Sequence, residues 1–118
     1  MAVPKTDYYR RALGKGATLV RRPHMHWIDG STSGWLRRQR GTSRILAVEV
    51  AEDATPLTRL APARVRTVVL LGHEHAGVPE EVWPLVDEVV EIPMAGRRSS
   101  LNVAVAGSLV LYRLAGLM

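Results

Sequence analysis

The sequence predicts an α/β domain with a largely parallel sheet and helices on both faces. Three observations carry this reading. Apolar runs at residues 45–50, 65–71 and 89–92 alternate with segments of helical character. These runs are apolar over several consecutive positions, as strands buried on both faces are. Each ends in a turn signal, and the last turn leads into a long apolar segment at 100–117.

Taken in order, residues 1–15 form a polar start, with a short helix expected at 7–13. Gly14-Lys15-Gly16 breaks it. That tripeptide fits neither a phosphate loop nor a dinucleotide fingerprint, which need longer glycine patterns. Residues 17–20 suit a short strand, ended by Arg21-Arg22-Pro23, and 23–34 reads as loop. His24 and His26 stand at i, i+2, a spacing compatible with metal, but the sequence offers no third ligand. Trp27 is expected to pack rather than stack on a base. Ser33 suits the cap of a helix over 34–39 that stops near Gly41. Residues 45–50 form the next strand, and 53–60 a loop with a short helix. The run V-R-T-V-V-L-L at 65–71 is the clearest strand and is expected to be central. Pro79-Glu80-Glu81 suits the first turn of a helix over 79–86, because proline is tolerated there and acids favour the positive helix end. Residues 89–92 form another strand, whose ladder Pro93 stops. The final helix, 100–117, is apolar nearly all round and is expected to be buried on more than one side. Ala104, Gly107 and Ser108 would admit a close helix neighbour, as from a second subunit.

The 118 residues suit one domain, with residues 1–44 a basic flank and 45–118 the body. Residues 1–44 hold ten Lys/Arg against two acids, a balance of +8, whereas 45–118 hold six against nine, a balance of −3. Such asymmetry points to a polyanionic partner. There is no cysteine, so disulfides and thiolate zinc sites are excluded, in keeping with a reducing cytosol. The most apolar stretch, 103–118, is interrupted by Ser108 and Arg113 and is short of the roughly 20 residues of a membrane span. No signal peptide is visible.

The chemistry concentrates at three turns. Gly72 ends one strand and Gly77 closes the same loop; Ile92-Pro93-Met94 ends the next; Ser99-Ser100 precede the final helix. Ligands in α/β sheets sit beyond the carboxyl ends of strands. Adjacent turns of this kind form a pocket of backbone groups with apolar walls, suited to a heterocycle. Glu74, Ser100 and Asn102 are the polar side chains such a pocket would contain. They bind either a ligand or one another, since buried polar groups need partners.

The segments L-L-G-H-E-H-A-G-V-P, V-V-E-I-P-M-A-G and S-S-L-N-V-A-V-A-G-S-L-V-L-Y resemble motifs 2 and 3 of the SpoU/TrmH branch of the SPOUT RNA methyltransferases. The resemblance runs from about residue 45 to residue 117. Its motifs stand in order, with Ile92 20 positions after Gly72 and Leu101 nine after Ile92. It implies a SPOUT-type α/β knot, with a trefoil knot near the C-terminus, an exception to the rule against knotted chains. It implies S-adenosylmethionine as cofactor, with Gly72, Ile92 and Leu101 touching it through backbone groups and Met94 lining the pocket. Glu74, Ser100 and Asn102 would be the catalytic polar residues. It also implies a cytoplasmic homodimer joined through the motif 2 and motif 3 helices, with the ribose 2′-hydroxyl of tRNA or rRNA as substrate and no metal.

The family's motif 1, an Asn followed five positions later by an Arg, is missing. Asn102 is the single asparagine of the sequence. His73 stands where motif 2 commonly has Asn. R-R-A-L-G-K-G-A at 10–17 resembles the turn after motif 1. The chain is therefore expected to be an N-terminally truncated form. Two readings stay open: an RNA 2′-O-methyltransferase, with another Arg such as Arg10, Arg11 or Arg22 in place of the missing one, or a non-catalytic RNA-binding or dimerisation module derived from such an enzyme.

Overall fold

A computed structural model describes residues 2–4, 26–28, 30–72, 77–93 and 103–118. The chain divides into two compact units, residues 1–38 and 39–118.

In the first unit, β1 (Ala2–Pro4) pairs in parallel with β2 (His26–Ile28), with Val3 opposite Trp27. The sequence reads 23–34 as loop. A three-residue strand shows no periodicity of its own and exists through pairing with a distant segment. Helix α1 (Thr32–Gln39) carries the chain across the division between units. Its cap is Ser31, not Ser33. The Gly34 N–H donates to Ser31 Oγ at 3.1 Å, the N3 amide that a capping side chain satisfies. Ile28 and Leu36 are buried. The helix expected at 7–13, the Gly14-Lys15-Gly16 break and the strand expected at 17–20 lie outside the described residues.

The second unit is built on four parallel strands: β3 (Arg44–Val48), β4 (Thr55–Pro56), β5 (Thr67–Leu71) and β6 (Glu88–Glu91), in the order β4-β6-β3-β5. The central position falls to β3, whose Ile45, Leu46 and Ala47 are fully buried. Residues 65–71 were the expected centre, but β5 lies at the edge of the described sheet and its residues are half-buried. Apolarity reports burial, whereas strand order is set by crossovers between segments far apart in sequence. Strand β4 and the following 3₁₀ turn (Leu57–Arg59) occupy the segment read as loop and short helix.

Side chains on one sheet face (Leu46, Val48, Val69, Val90 and Ile92) gather with Leu57, Leu60, Leu109, Val110 and Leu114 into the core. The last three belong to α2 (Val103–Leu114). Helix and sheet approach closely at Gly107, where a Cβ would lie 2.8 Å from Leu71 Cδ1. Gly107 is thus used in packing against β5 within the chain. The buried stripe of α2 is Ala106, Gly107, Val110 and Leu114, while Val105, Leu111 and Tyr112 are exposed. Among the described residues the helix is buried along this one stripe.

The helix stops before residue 117. Gly116 has φ 75°, its N–H donates to Arg113 O at 3.1 Å, and the Leu117 N–H donates to Tyr112 O at 2.9 Å. This is a Schellman ending, with glycine in the left-handed conformation just past the last helical turn.

Segment 79–86 is a 3₁₀ helix (Glu80–Leu85) rather than an α-helix. Pro84 lies inside it and has no N–H for an α-helical bond, so the segment winds with shorter-range bonds, Val82 N to Pro79 O and Val86 N to Trp83 O. Pro79 precedes the first turn, with extended backbone.

Arg113, which the sequence presents as an interruption of an apolar helix, anchors α2. Its Nε donates to Leu60 O and its Nη2 to Thr58 O, both at 2.7 Å. The neighbouring Leu114 O accepts from the Ala63 N–H at 2.7 Å. Charge-assisted bonds of this kind contribute more than neutral ones. Arg113→Met is expected to lower stability by about 2 kcal/mol, read as a shift of the urea midpoint without change of slope. No helix of the described residues is long and apolar enough to cross a membrane. The expected trefoil knot involves residues 73–76 and 94–102, which lie outside the described residues.

Candidate active site

Because β5, β3 and β6 are neighbours and run in one direction, their carboxyl ends share one edge. Val48 is opposite both Leu71 and Val90. One step further, Glu49 stands between Gly72 and Glu91, and its N–H continues the ladder to Val90 O at 3.0 Å. With strands about 4.8 Å apart, Gly72 and Ile92 flank Glu49 across a gap of roughly 10 Å.

The turn after β5 closes tightly. A Cβ on Gly72 would lie 2.7 Å from the Gly77 carbonyl carbon and 2.9 Å from Val78 N. The two ends of the loop therefore meet backbone to backbone, which only glycine at position 72 permits. Gly77 has φ 70°, and a Cβ there would lie 2.8 Å from Glu49 Oε2. Val78, the next residue, is buried. Ile92 is half-buried against the core and Pro93 follows it in the open.

The opposite edge differs in kind. There the amino ends of the strands are fastened by side chains. Arg44 pairs with Glu88, whose Oε1 accepts from Thr55 Oγ1 at 2.8 Å. Asp87 Oδ2 accepts the Ile45 N–H at 2.7 Å, and Ile45 O accepts the Asp87 N–H at 2.8 Å. Arg66 Nη1 donates to buried Ser43 Oγ at 2.8 Å, with Gln39 and Thr42 also within reach. One edge is thus stitched with an ion pair and hydrogen bonds, and the other has turns that bring backbone close to backbone.

Of the residues expected at the site, Gly72 and Ile92 fall at the ends of the two strands flanking β3. Glu74, Met94, Ser100, Leu101 and Asn102 lie outside the described residues. Glu49 was missed in the sequence. Its signal was an acid directly after the apolar core of a central strand, where the chain passes from the sheet into the pocket region. The apolar Val48, the backbone at Gly72 and Ile92, and a turn closed without side chains suit a flat heterocycle with polar edges. Among the described residues, no group of three or more His, Asp or Glu side chains could hold a metal ion.

Comparison with known proteins adds to this geometry. Residues 17–112 match the model of the SpoU rRNA Methylase family. The chain is 44% identical over 113 aligned positions to the tRNA (guanosine(18)-2′-O)-methyltransferase of Aquifex aeolicus, covering 89% of this chain and 53% of that protein. It is 38% identical over 69 residues to the enzyme of the same name from Escherichia coli K12, covering 58% of this chain and 30% of that protein. Among solved structures, it resembles the A. aeolicus TrmH/SpoU tRNA modifying enzyme with a TM-score of 0.66 and 26% identity, over 79% of this chain and 47% of that one. It also resembles a protein whose structure addresses 2′-OH methylation of C/U34 on tRNA, with a TM-score of 0.61 and 28% identity, over 95% and 72% of the two chains. The chain therefore spans 30% to 53% of the length of these two curated relatives.

Proposed function

The chain belongs to the SpoU rRNA Methylase family, and from that premise we propose that it is an S-adenosylmethionine-dependent RNA 2′-O-ribose methyltransferase acting on tRNA or rRNA in the cytoplasm. The observation that carries this reading is the placement of Gly72 and Ile92 at adjacent strand ends on either side of β3, with the turn after Gly72 closed backbone to backbone. The family match crosses the division between the two units, which supports treating residues 1–118 as one methyltransferase domain with a basic flank.

S-adenosylmethionine, when bound, supplies a methyl group activated on a sulfonium. The chain's task is then alignment and proton removal, which between them account for much of the barrier to such a displacement. Backbone groups at Gly72, Ile92 and Leu101 would hold the cofactor, and Met94 would form an apolar wall of its pocket. Ser100 and Asn102 would orient the ribose hydroxyl by hydrogen bonds, and the Glu74 carboxylate is the group among the three that could accept its proton. The basic residues within 1–44 hold the RNA by its phosphates.

A homodimer fits the exposed stripe of α2. Ala104, Val105, Ser108, Leu111 and Tyr112 recur at helical spacing and are exposed. Their small and apolar character suits a second helix. Leu111→Asp is expected to convert a dimer to a monomer in sedimentation velocity.

The direct test is calorimetric titration with S-adenosylmethionine, followed by tritiated-methyl transfer to unmodified tRNA and rRNA. Saturable binding and RNA labelling are expected. Glu74→Ala and Asn102→Ala should each lower transfer by about a hundredfold or more, in the range of general acid–base contributions. Unchanged transfer in both would overturn the residue assignment. The second reading, a non-catalytic RNA-binding or dimerisation module, is favoured by the basic excess of residues 1–44. It predicts RNA binding that weakens steeply with salt and no labelling of any RNA.

A further inference from the structure

We propose that Glu49 makes this site select the cationic methyl donor over its neutral demethylated product. The inference rests on the S-adenosylmethionine reading above and deepens it.

Glu49 follows directly on the last residue of the central strand, between the two turns expected to hold the cofactor. Its backbone is fixed by the bond to Val90 O at 3.0 Å. One oxygen of its carboxylate accepts a hydrogen bond and the other lies beside Gly77. The Val50 N–H donates to Oε1 at 3.1 Å, and Oε2 rests against Gly77, so close that a Cβ there would stand 2.8 Å away. The negative charge is thus set beside the Gly77 turn, on a residue whose backbone lies between the strands that end at Gly72 and Ile92, and Glu49 is half-buried. A sulfonium lodged between strand ends that lie two spacings of about 4.8 Å apart would stand within about 8 Å of this carboxylate. Methyl transfer removes one unit of positive charge from the bound molecule, because the sulfonium becomes a neutral thioether. A carboxylate at that distance therefore favours the substrate form over the product form. In a partly solvated site the preference amounts to about fivefold. The same charge promotes release of the product after each turnover.

The test is paired calorimetric titration of the full chain with S-adenosylmethionine and with S-adenosylhomocysteine, at low and high salt. The variants are Glu49→Gln, which keeps the shape and the acceptor for Val50 N–H, and Glu49→Asp, which keeps the charge. In Glu49→Gln the Kd for S-adenosylmethionine is expected to rise about fivefold and that for S-adenosylhomocysteine to change less than about twofold. Glu49→Asp should restore most of the discrimination, and salt should narrow the gap in the wild type. Equal weakening of both ligands would overturn the inference, leaving Glu49 as a brace for the Gly77 turn. Equal affinities in wild type and variant would also overturn it. If the folded wild type binds neither molecule, the cofactor reading itself fails and the inference with it.

Discussion

Gly72→Ala is expected to cost about 2–3 kcal/mol of stability and to reduce S-adenosylmethionine affinity by at least about tenfold. The added methyl group would meet the Gly77 carbonyl carbon at 2.7 Å and Val78 N at 2.9 Å. Both are backbone atoms and neither can rotate away. The loop end must lift off the strand, and buried Val78 moves with it. Displacement of that size at a cofactor loop also spoils the positions on which alignment depends. Gly41→Ala is the matched control. It has open space around its added Cβ and no left-handed backbone, and is expected to change stability by less than about 0.5 kcal/mol. Urea unfolding of the two variants, with cofactor titration of each, decides the matter. Equal behaviour of the two would sink the account of a turn closed by glycine.

Leu46→Ala should have the largest effect on stability, about 3–4 kcal/mol. Leu46 is fully buried on the central strand and faces the core formed with Val90, Val110 and Leu114. Strands β5 and β6 pair on either side of it, at Val69 and Glu88, which limits how far the site can collapse to fill the cavity. The measurement is the urea midpoint with the slope held constant. A loss below about 1.5 kcal/mol would mean that the core relaxes easily around that position. Val50, exposed near the end of the same apolar run, should tolerate alanine with little change.

The sequence made β3 and β6 legible because several consecutive apolar residues between turn signals leave few alternatives. It also located Gly72 and Ile92 at strand ends, since glycine and proline mark where a ladder must stop. Strand order was not legible. The edge placement of β5 follows from pairings with segments more than 20 residues away, which local apolarity does not encode. The two-residue β4 and three-residue β2 are too short to show periodicity and are strands only by virtue of their partners. Pro84 could have signalled the 3₁₀ winding of 80–85, because its missing N–H forbids the α-helical bond. Arg113 looked like a break in an apolar helix when its role is to reach Thr58 and Leu60 across the fold. Glu49 escaped notice because its significance lies in what Gly77 brings beside it.

The anchoring of α2 sets the order in which the second unit can assemble. Every strand of the four-stranded sheet is synthesised before the helix that covers its core face. The partners of Arg113, Leu60 and Thr58, lie 53 and 55 positions earlier in the chain. Until α2 emerges, Leu46, Val90 and Leu57 have no cover from Val110 and Leu114, and the nascent sheet presents an apolar surface. Docking of one helix closes the core, saturates two carbonyls and ends the exposure together. Folding should thus be slow to begin and abrupt to finish, as expected where long loops must close before their contacts are rewarded. Chaperone dependence would then fall on the interval just before α2 is released.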